Sequence, residues 1–340
     1  MTKIAGIITL YASQNFGAFL QGFAMQNVLE RLGYKVSFLK YGDSNLHELL
    51  FMVKTKNIRL ALFRVRQYWR YLNSRNLLHI ARHKYLGEAM DAAIIGSDTL
   101  WDVQNPTIHP SEYYLGKNIC ANKIIAYAPS ANNTTLSEFE KVYKQSSPFS
   151  SFTSISVRDH QTCELVEKIA GISPQVVLDP TLLLNKEDYP IAQISEKDRY
   201  VLVYGYSFSE SEIAVIKSEA IRLGALTISV GLLNSWCDKN VTATVPEFIG
   251  YITKAECVFT GTFHGTIFSV IMGKRFVTFA RKNYKVYDLL NKLELNDRDG
   301  SVAIDKVRSI VEQPIDFHRV HSKLSLLQSE SMEFLRKALE

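Results

Sequence analysis

The sequence predicts an α/β protein made of two Rossmann-like domains with a central cleft. Short apolar segments alternate with segments of helical spacing along almost all of the 340 residues. This alternation is typical of parallel sheets with helices on both faces. It pauses once, at residues 184–197, and then restarts. A chain of this length accommodates two domains of ordinary size, so we interpret the pause as the linker between them.

The first half begins with an apolar strand pattern at residues 3–10. A helix is predicted at residues 17–32, where apolar side chains recur every three or four positions and Gly33 provides the stop signal. A helix is also predicted from Asp159 to residue 170. The other predicted strands of this half are residues 35–41, 92–95, 123–128, 154–157 and 175–178.

The second half shows the same alternation. Its predicted strands are residues 200–204, 225–230, 257–260 and 275–279. Its predicted helices are residues 210–223, 246–255, 265–272, 284–292, 305–312 and 322–339. We therefore predict an N-terminal domain at residues 1–186, a C-terminal domain at residues 198–318, and a C-terminal helix at residues 319–340.

Composition indicates a soluble globular protein, because 46% of the residues are hydrophobic and 21% are charged. We expect it to be cytoplasmic, because its cysteine usage fits a reducing cytosol. No apolar run reaches the roughly 18–20 residues that span a bilayer. The N-terminus shows no signal-peptide pattern. The four cysteines are widely separated and form neither a disulfide framework nor a metal-binding spacing, so we expect no metal.

The net charge of +5 is unevenly distributed. Residues 49–87 contain nine Lys or Arg and no Asp or Glu, so the rest of the chain has a formal charge of −4. We predict a basic helical insert of the N-terminal domain at residues 47–87. It packs as a solvated helical pair on its own domain, binds a phosphorylated substrate, or contacts an anionic membrane at the inner face of the cytoplasmic membrane. Nucleic acid is not expected as a partner, because no nucleic-acid-binding module is visible.

Polar residues follow several of the predicted strands, at the edge where doubly wound sheets bind their ligands. Neither the dinucleotide glycine fingerprint nor a Walker loop is present, so we do not expect NAD, FAD or a P-loop nucleotide. The polar strand ends are Ser13, Gln14, Asn15, Ser97, Asp98, Ser130, Arg158, Asp159, Thr262 and His264.

His264 is the most informative of these residues, because it lies between a strand and a helix predicted to begin near Gly265. The first N–H groups of a helix bind anions, and an imidazole beside them can transfer a proton. A purely structural histidine is the alternative.

Five sequence blocks follow one another along the chain: Asn-Phe-Gly-Ala-Phe-Leu-Gln (15–21), Ile-Gly-Ser-Asp-Thr-Leu-Trp (95–101), Ser-Val-Arg-Asp (156–159), Leu-Asp-Pro-Thr-Leu-Leu (178–183) and Thr-Phe-His-Gly-Thr-Ile-Phe (262–268). In content and order these blocks resemble motifs of the polysaccharide pyruvyl transferase family. The resemblance implies a GT-B-like fold and transfer of pyruvate from phosphoenolpyruvate to a sugar of a cell-surface polysaccharide or its lipid-linked precursor. The product would be a pyruvate ketal, with release of phosphate; phosphoenolpyruvate is a co-substrate and no cofactor is implied.

This resemblance suggests roles for individual residues. His264 would transfer a proton or stabilise the departing phosphate, and Asp98 or Asp159 would deprotonate a sugar hydroxyl. Some family members have an arginine two residues before the histidine, where this chain has Thr262. Either other cations then meet the anionic groups of the donor, or the donor is a different molecule. The expected donor-binding residues are Arg158, Thr262, Gly265, Thr266, Lys274, Arg275 and Arg281.

The acceptor side is expected to lie in the N-terminal domain. A capping or packing role is equally open for Asn15 and Gln21, and a core position is open for Trp101. Asp179, before Pro180, is interpreted as a turn residue. The expected acceptor-binding residues are Asn15, Gly17, Gln21, Ser97 and Trp101.

Two other functions remain open at this point. A nucleotide-sugar glycosyltransferase in polysaccharide biosynthesis would use the same GT-B fold and would bind a nucleoside diphosphate. A non-catalytic glycan-binding protein would bind sugar without any chemistry.

Overall fold

The computed structural model describes residues 2–11, 15–40, 55, 57–105, 108–144, 146–281 and 283–340. The chain forms two compact units, and each contains its own parallel sheet. The α/β fold class is therefore confirmed. None of the helices within these residues is both long and apolar enough to cross a bilayer. The first unit comprises residues 1–45, 76–184 and 325–340, and the second comprises residues 46–75 and 185–324.

The first unit contains a seven-stranded sheet in the order β3-β2-β1-β4-β5-β6-β7. Every adjacent pair in it is parallel, so all the strand carboxyl ends lie along one edge. The central strands are buried over most of their length, which explains their largely apolar sequences. The strands are β1 (Lys3–Ile8), β2 (Tyr34–Lys40), β3 (Ile80–Lys84), β4 (Met90–Ile95), β5 (Ala121–Ala126), β6 (Ser154–Val157) and β7 (Gln175–Val176).

The second unit contains a five-stranded parallel sheet in the order β10-β9-β8-β11-β12. Its core is formed by apolar side chains from β8, β11 and β12 and from the helices that cover them. The strands are β8 (Tyr200–Tyr204), β9 (Leu226–Val230), β10 (Lys239–Val241), β11 (Val258–Thr260) and β12 (Phe276–Thr278).

Ten α-helices connect and cover these strands in the described part of the chain. They are α1 (Phe16–Arg31), α2 (Ile58–Leu72), α3 (Leu136–Val142), α4 (His160–Ala170), α5 (Glu210–Arg222), α6 (Val245–Lys254), α7 (Phe263–Ile271), α8 (Tyr284–Leu293), α9 (Val307–Glu312) and α10 (Phe317–Leu339). Short 3-10 turns occur at Arg75–Leu77, Glu112–Leu115, Pro180–Leu183, Lys186–Asp188, Asn296–Arg298 and Ile304–Lys306.

The basic segment differs from the insert expected at residues 47–87. Residues 47–54 and 56 lie outside the described part of the chain. Helix α2 groups with the second unit, because Gln67 exchanges two hydrogen bonds of 2.9 Å with the backbone of Ala243. Residues 80–84 are not helical. They form edge strand β3, whose basic side chains remain exposed while its backbone pairs with β2.

Candidate active site

Arg158 lies at the centre of a buried ion-pair group at the carboxyl edge of the first sheet. Its Nη1 donates to Asp179 Oδ2 at 2.8 Å, and its Nη2 lies 3.8 Å from Asp98 Oδ1. The exposed fractions of the three side chains are 3% for Arg158, 12% for Asp98 and 0% for Asp179. The guanidinium is thus shared between two carboxylates, and Asp98 is the member most open to solvent. We call Arg158, Asp98 and Asp179 the arginine cluster.

The turn after β4 holds Asp98 in a fixed position. The backbone of Asp98 is left-handed, with φ of 78°, a conformation that costs energy for any residue other than glycine. Its carbonyl accepts a hydrogen bond from Ser130 at 2.9 Å, and its Oδ1 accepts one from the Thr99 N–H at 2.8 Å. Strained residues held by their surroundings are concentrated at functional sites, so this turn is the best-defined candidate in the first unit.

Ser97 and Gln21 support the turn from inside the protein. The Ser97 hydroxyl lies 2.9 Å from the Ala128 carbonyl and 3.2 Å from Asp179 Oδ2. Gln21 accepts a hydrogen bond from the Ser97 N–H at 3.1 Å and donates to Thr9 Oγ1 at 2.7 Å. Both side chains belong to fully buried residues, so contact between Gln21 and an acceptor sugar is not possible in this arrangement.

Asn15 and Gly17, expected on the acceptor side, form the start of α1. Asn15 Oδ1 accepts hydrogen bonds from the N–H groups of Gly17 at 2.8 Å and Ala18 at 3.3 Å. This is the geometry of an N-cap, one of the two roles that the sequence left open. The neighbouring strand-end residues Ser13 and Gln14 lie outside the described residues.

Asp159 and Trp101 also have structural positions, which corrects their assignment to the site. Asp159 is 2% exposed, and its Oδ1 caps α4 by accepting from the Thr162 N–H and hydroxyl at 2.8 and 2.7 Å. Trp101 is fully buried in the core, where its indole N–H donates to the Tyr114 carbonyl at 2.8 Å. An aspartate engaged as a cap and an indole without an exposed face are poorly suited to meet a sugar.

The histidine turn, residues 260–266, connects β11 to α7 in the second unit. Its helix begins at Phe263, two residues earlier than the sequence suggested, because Thr262 is the N-cap. The Thr262 hydroxyl accepts from the Gly265 N–H at 3.0 Å, and the Thr262 carbonyl accepts from the Thr266 N–H at 3.2 Å. The N–H groups of Gly265 and Thr266 are therefore used within the helix, which corrects their expected role as donors to an anion.

Gly265 is required for packing inside this turn. A Cβ atom added at Gly265 would lie 2.1 Å from Thr260 Oγ1 and 2.7 Å from Thr262 Oγ1. Thr260 cannot withdraw easily, because its hydroxyl donates to the Tyr204 carbonyl at 2.7 Å. The glycine lets the first turn of α7 lie against the end of β11.

His264 occupies the first turn of α7, 8% exposed, with its ring 5.3 Å from the ring of Phe263. It lies at the carboxyl edge of the second sheet, since β11 ends at Thr260. The positive end of a helix dipole favours a negatively charged ligand at this edge.

The three cations expected to meet a donor lie at opposite edges of the second sheet. Lys274 and Arg275 follow the C-terminus of α7 and precede β12, about 13 Å from the first turn that holds His264, given 1.5 Å per helical residue. They are therefore wrongly assigned to a site with His264. Arg281 follows β12 at the carboxyl edge, on the same side as the histidine turn.

Arg281 is partly exposed and is held by an acid. Its Nε donates to Glu212 Oε1 at 3.1 Å and its Nη2 to the Ser207 carbonyl at 3.2 Å, and 42% of its side chain is accessible. Burial alone would raise the pKa of Glu212, but hydrogen bonds from Arg281 and Ser209 outweigh it and hold that pKa below its ordinary value. The ion pair and the bond to the Ser207 carbonyl hold the Arg281 guanidinium in one orientation.

The sequence did not assign Asp179 to the arginine cluster. The residue was interpreted as a turn former, and its Oδ1 does accept from the Thr181 N–H at 3.0 Å. Its second oxygen nevertheless binds Arg158, 21 residues earlier in the chain.

Within the described residues, no three His, Cys, Asp or Glu side chains converge as metal ligands do.

The arginine cluster and the histidine turn belong to an α/β chain with two parallel sheets and a GT-B-like fold. A family model described as polysaccharide pyruvyl transferase matches residues 15–283. The chain therefore belongs to the polysaccharide pyruvyl transferase family, as its sequence blocks predicted, and is a polysaccharide-modifying transferase. The match includes both the arginine cluster and the histidine turn.

Solved structures are similar in fold only. The chain superimposes on UDP-GlcNAc 2-epimerase from Methanocaldococcus jannaschii with a TM-score of 0.50 and 9% identity, covering 92% of this chain and 93% of that one. A structure of S. aureus MnaA with UDP gives a TM-score of 0.49 and 10% identity, covering 96% of this chain and 91% of that one. No curated protein gives a significant match.

Proposed function

We propose that the protein transfers the pyruvyl group of phosphoenolpyruvate to two hydroxyls of one sugar in a cell-surface polysaccharide or its lipid-linked precursor. The observation that carries this proposal is the family match over residues 15–283. The geometry supports it, because each unit presents an ionisable group suited to this reaction at the carboxyl edge of its sheet.

The histidine turn and Arg281 are proposed to serve the donor. Phosphoenolpyruvate is an anion with a phosphate and a carboxylate, and a guanidinium can bind either group through two parallel hydrogen bonds. Arg281 supplies that charge at the edge where some relatives have an arginine and this chain has Thr262. His264 is the proposed proton donor to the methylene carbon, or the group that stabilises the departing phosphate.

Asp98 is proposed to serve the acceptor as the general base. It is the most exposed carboxylate of the arginine cluster, and its left-handed backbone is fixed by Ser130 and Thr99. Arg158, only 3% exposed, is better placed to orient Asp98 than to touch the donor directly. This assignment replaces the donor-binding role that the sequence suggested for Arg158.

The proposed reaction balances without a cofactor. The methylene carbon gains a proton, which makes the adjacent carbon electrophilic, and one sugar hydroxyl attacks that carbon as its own proton passes to the base. The bond from this carbon to the phosphate oxygen then breaks, and phosphate leaves with the electron pair. A second hydroxyl attacks the same carbon and closes the cyclic ketal, releasing the other proton.

The test is a phosphate-release assay with phosphoenolpyruvate and a series of glycan acceptors. We expect Arg281→Gln to raise the KM for phosphoenolpyruvate about 10- to 100-fold, the effect of losing a hydrogen bond to a charged group. Arg275→Gln is the matched control, since Arg275 lies at the opposite edge of the same sheet. Equal KM values in the two variants would remove Arg281 from the donor site.

The alternative function is that of a nucleotide-sugar glycosyltransferase. It predicts tight binding of a nucleoside diphosphate and no phosphate release from phosphoenolpyruvate with any acceptor. Isothermal titration with both ligands distinguishes the two functions, because a pyruvyl transferase should bind phosphoenolpyruvate in preference to the nucleotide.

A further inference from the structure

Helix α2 has one face that is buried and one that is exposed, and the exposed face is apolar and basic. Relative to Ile58, at 100° per residue, Trp69, Leu62, Arg66 and Arg59 all project within an arc of about 100°. Ile58, Leu62 and Trp69 are 77%, 62% and 64% exposed, and both arginines are exposed as well. We call these five side chains the α2 outer face.

The opposite face of α2 is anchored to its own unit. Tyr71 is fully buried, and Gln67 exchanges two hydrogen bonds with Ala243. Arg70, which borders the outer face beside Arg59, pairs with Glu247, and the Ser74 hydroxyl just beyond the helix accepts from the Val245 N–H at 2.9 Å. The helix is therefore held in one orientation, and its outer face is presented on a rigid support.

We propose that the α2 outer face docks on an anionic membrane surface. Tryptophan and branched aliphatic side chains insert at the boundary between headgroups and acyl chains, and neighbouring arginines bind the lipid phosphates. The helix contains no acidic residue, and neither does the rest of residues 49–87, so nothing in this segment opposes a negative surface.

The chemistry of the face favours lipid over two other partners. A nucleic-acid surface would present its phosphates to Arg59 and Arg66 but would leave Ile58, Leu62 and Trp69 without apolar contact. A second copy of this face would place arginines against arginines with no acid to pair them. An anionic bilayer offers apolar contact to the aliphatic and tryptophan side chains and phosphates to the arginines.

The experiment is flotation of the full-length protein with vesicles of phosphatidylglycerol and phosphatidylcholine, compared with phosphatidylcholine alone. We expect salt-sensitive binding to the anionic vesicles only. Arg66→Glu should weaken it about 30-fold, because each basic side chain near an anionic surface strengthens binding roughly fivefold and reversal counts twice. Leu62→Ser should weaken it at least fivefold, by removing an inserted side chain.

Matched controls come from helix α10. Leu326 is 62% exposed, the same fraction as Leu62, and Arg336 is an exposed arginine. Leu326→Ser and Arg336→Glu should bind anionic vesicles as the wild type does. In addition, tryptophan emission should shift to the blue with anionic vesicles, and the shift should disappear in Trp69→Phe, which retains the other two tryptophans.

Several results would overturn the proposal. One is equal binding to neutral and anionic vesicles, and another is an equal loss in Leu62→Ser and Leu326→Ser. Displacement by duplex DNA with no effect of Leu62→Ser would indicate nucleic acid instead. A concentration-dependent dimer in lipid-free buffer that Leu62→Ser abolishes would indicate a second copy. All of these measurements are made without donor or acceptor, so their failure would leave the proposed transferase activity unaffected.

Discussion

Arg158 and Asp179 form a fully buried ion pair, with 2.8 Å between Nη1 and Oδ2, and the same guanidinium lies 3.8 Å from Asp98. One arginine thus connects a carboxylate that has no exposed surface with a carboxylate that is partly open to solvent. We therefore expect substitution of Asp179 to affect stability and substitution of Asp98 to affect activity, although both aspartates contact the same side chain.

Asp179→Asn should reduce stability more than Asp98→Asn. Removing one partner of a buried ion pair costs about 3–5 kcal/mol, and Arg158 would retain only the more distant carboxylate of Asp98, at 3.8 Å. Urea denaturation measures this loss. Glu140→Gln, at an exposed carboxylate of α3, is the control and should change the free energy of unfolding by less than about 0.5 kcal/mol. A similar small change in Asp179→Asn would contradict the buried ion pair.

Asp98→Asn should have the opposite effects, with a small loss of stability and a large loss of activity. An asparagine oxygen can still accept from the Thr99 N–H, so the turn should persist with a loss of about 1 kcal/mol or less. An amide cannot act as a general base, so kcat should fall roughly 10²- to 10⁴-fold. Steady-state phosphate release, measured on protein whose unfolding midpoint has been checked, separates the two effects. Retained kcat would exclude Asp98 as the base.

Gly265→Ala should destabilise the second unit, because the new methyl group would lie 2.1 Å from Thr260 Oγ1. Overpacking of this kind costs about 1–3 kcal/mol. Gly261→Ala is the matched control in the same turn, since its nearest outside atom is 4.0 Å away. Thermal unfolding of both variants gives the comparison, and equal melting temperatures would contradict the packing role of Gly265.

Thr262 should contribute to stability as the cap of α7, whatever its effect on the donor. Thr262→Ala removes the acceptor of the Gly265 N–H and should cost about 1 kcal/mol, whereas Thr262→Ser retains that oxygen and should cost little. Denaturant melts of the two variants test this. If serine and alanine were equally destabilising, the hydroxyl would not be the cap.

Acid sensitivity is expected at the anchor of α2. Burial alone would raise the pKa of Glu247, but hydrogen bonds from Thr244 and Arg70 outweigh it and hold that pKa below its ordinary value. A carboxylate with a lowered pKa stabilises the folded state above its unfolded pKa of about 4.3 and loses that contribution as the pH falls through the folded pKa. Glu247→Gln should therefore flatten the decline of melting temperature below about pH 4.3. If the melting temperature of Glu247→Gln declined in acid as steeply as that of the wild type, Glu247 would not be a source of the acid sensitivity.

Sequence patterns predicted most of the elements correctly, because buried parallel strands have continuous apolar sequences and their helices have strong stop signals. Strand Ser154–Val157 and strand Tyr200–Tyr204 have the predicted limits. Strand Ile80–Lys84 was missed because an exposed edge strand has no apolar pattern to recognise. The start of α7 was misplaced by two residues, although a threonine three positions before Gly265 is itself a capping signal.

The candidate site was less predictable than the fold. Chain order indicated that Asp98, Arg158 and His264 follow strands, and it could not distinguish a carboxylate that caps a helix from one that faces solvent. Asp159 and Asp98 look alike in sequence, but the first caps α4 and the second lies in a left-handed turn. Lys274 and Arg275 are near His264 in sequence, yet the intervening helix carries them to the opposite edge of the sheet.

The central claim is the transfer of a pyruvyl group to form a ketal. The most direct measurement is mass spectrometry of a glycan acceptor incubated with the protein and phosphoenolpyruvate in heavy water. We predict a ketal whose methyl group contains one deuterium from solvent, formed with one phosphate per ketal and absent in His264→Ala protein that remains folded. An unmodified acceptor, or a ketal formed equally well by His264→Ala, would contradict the account.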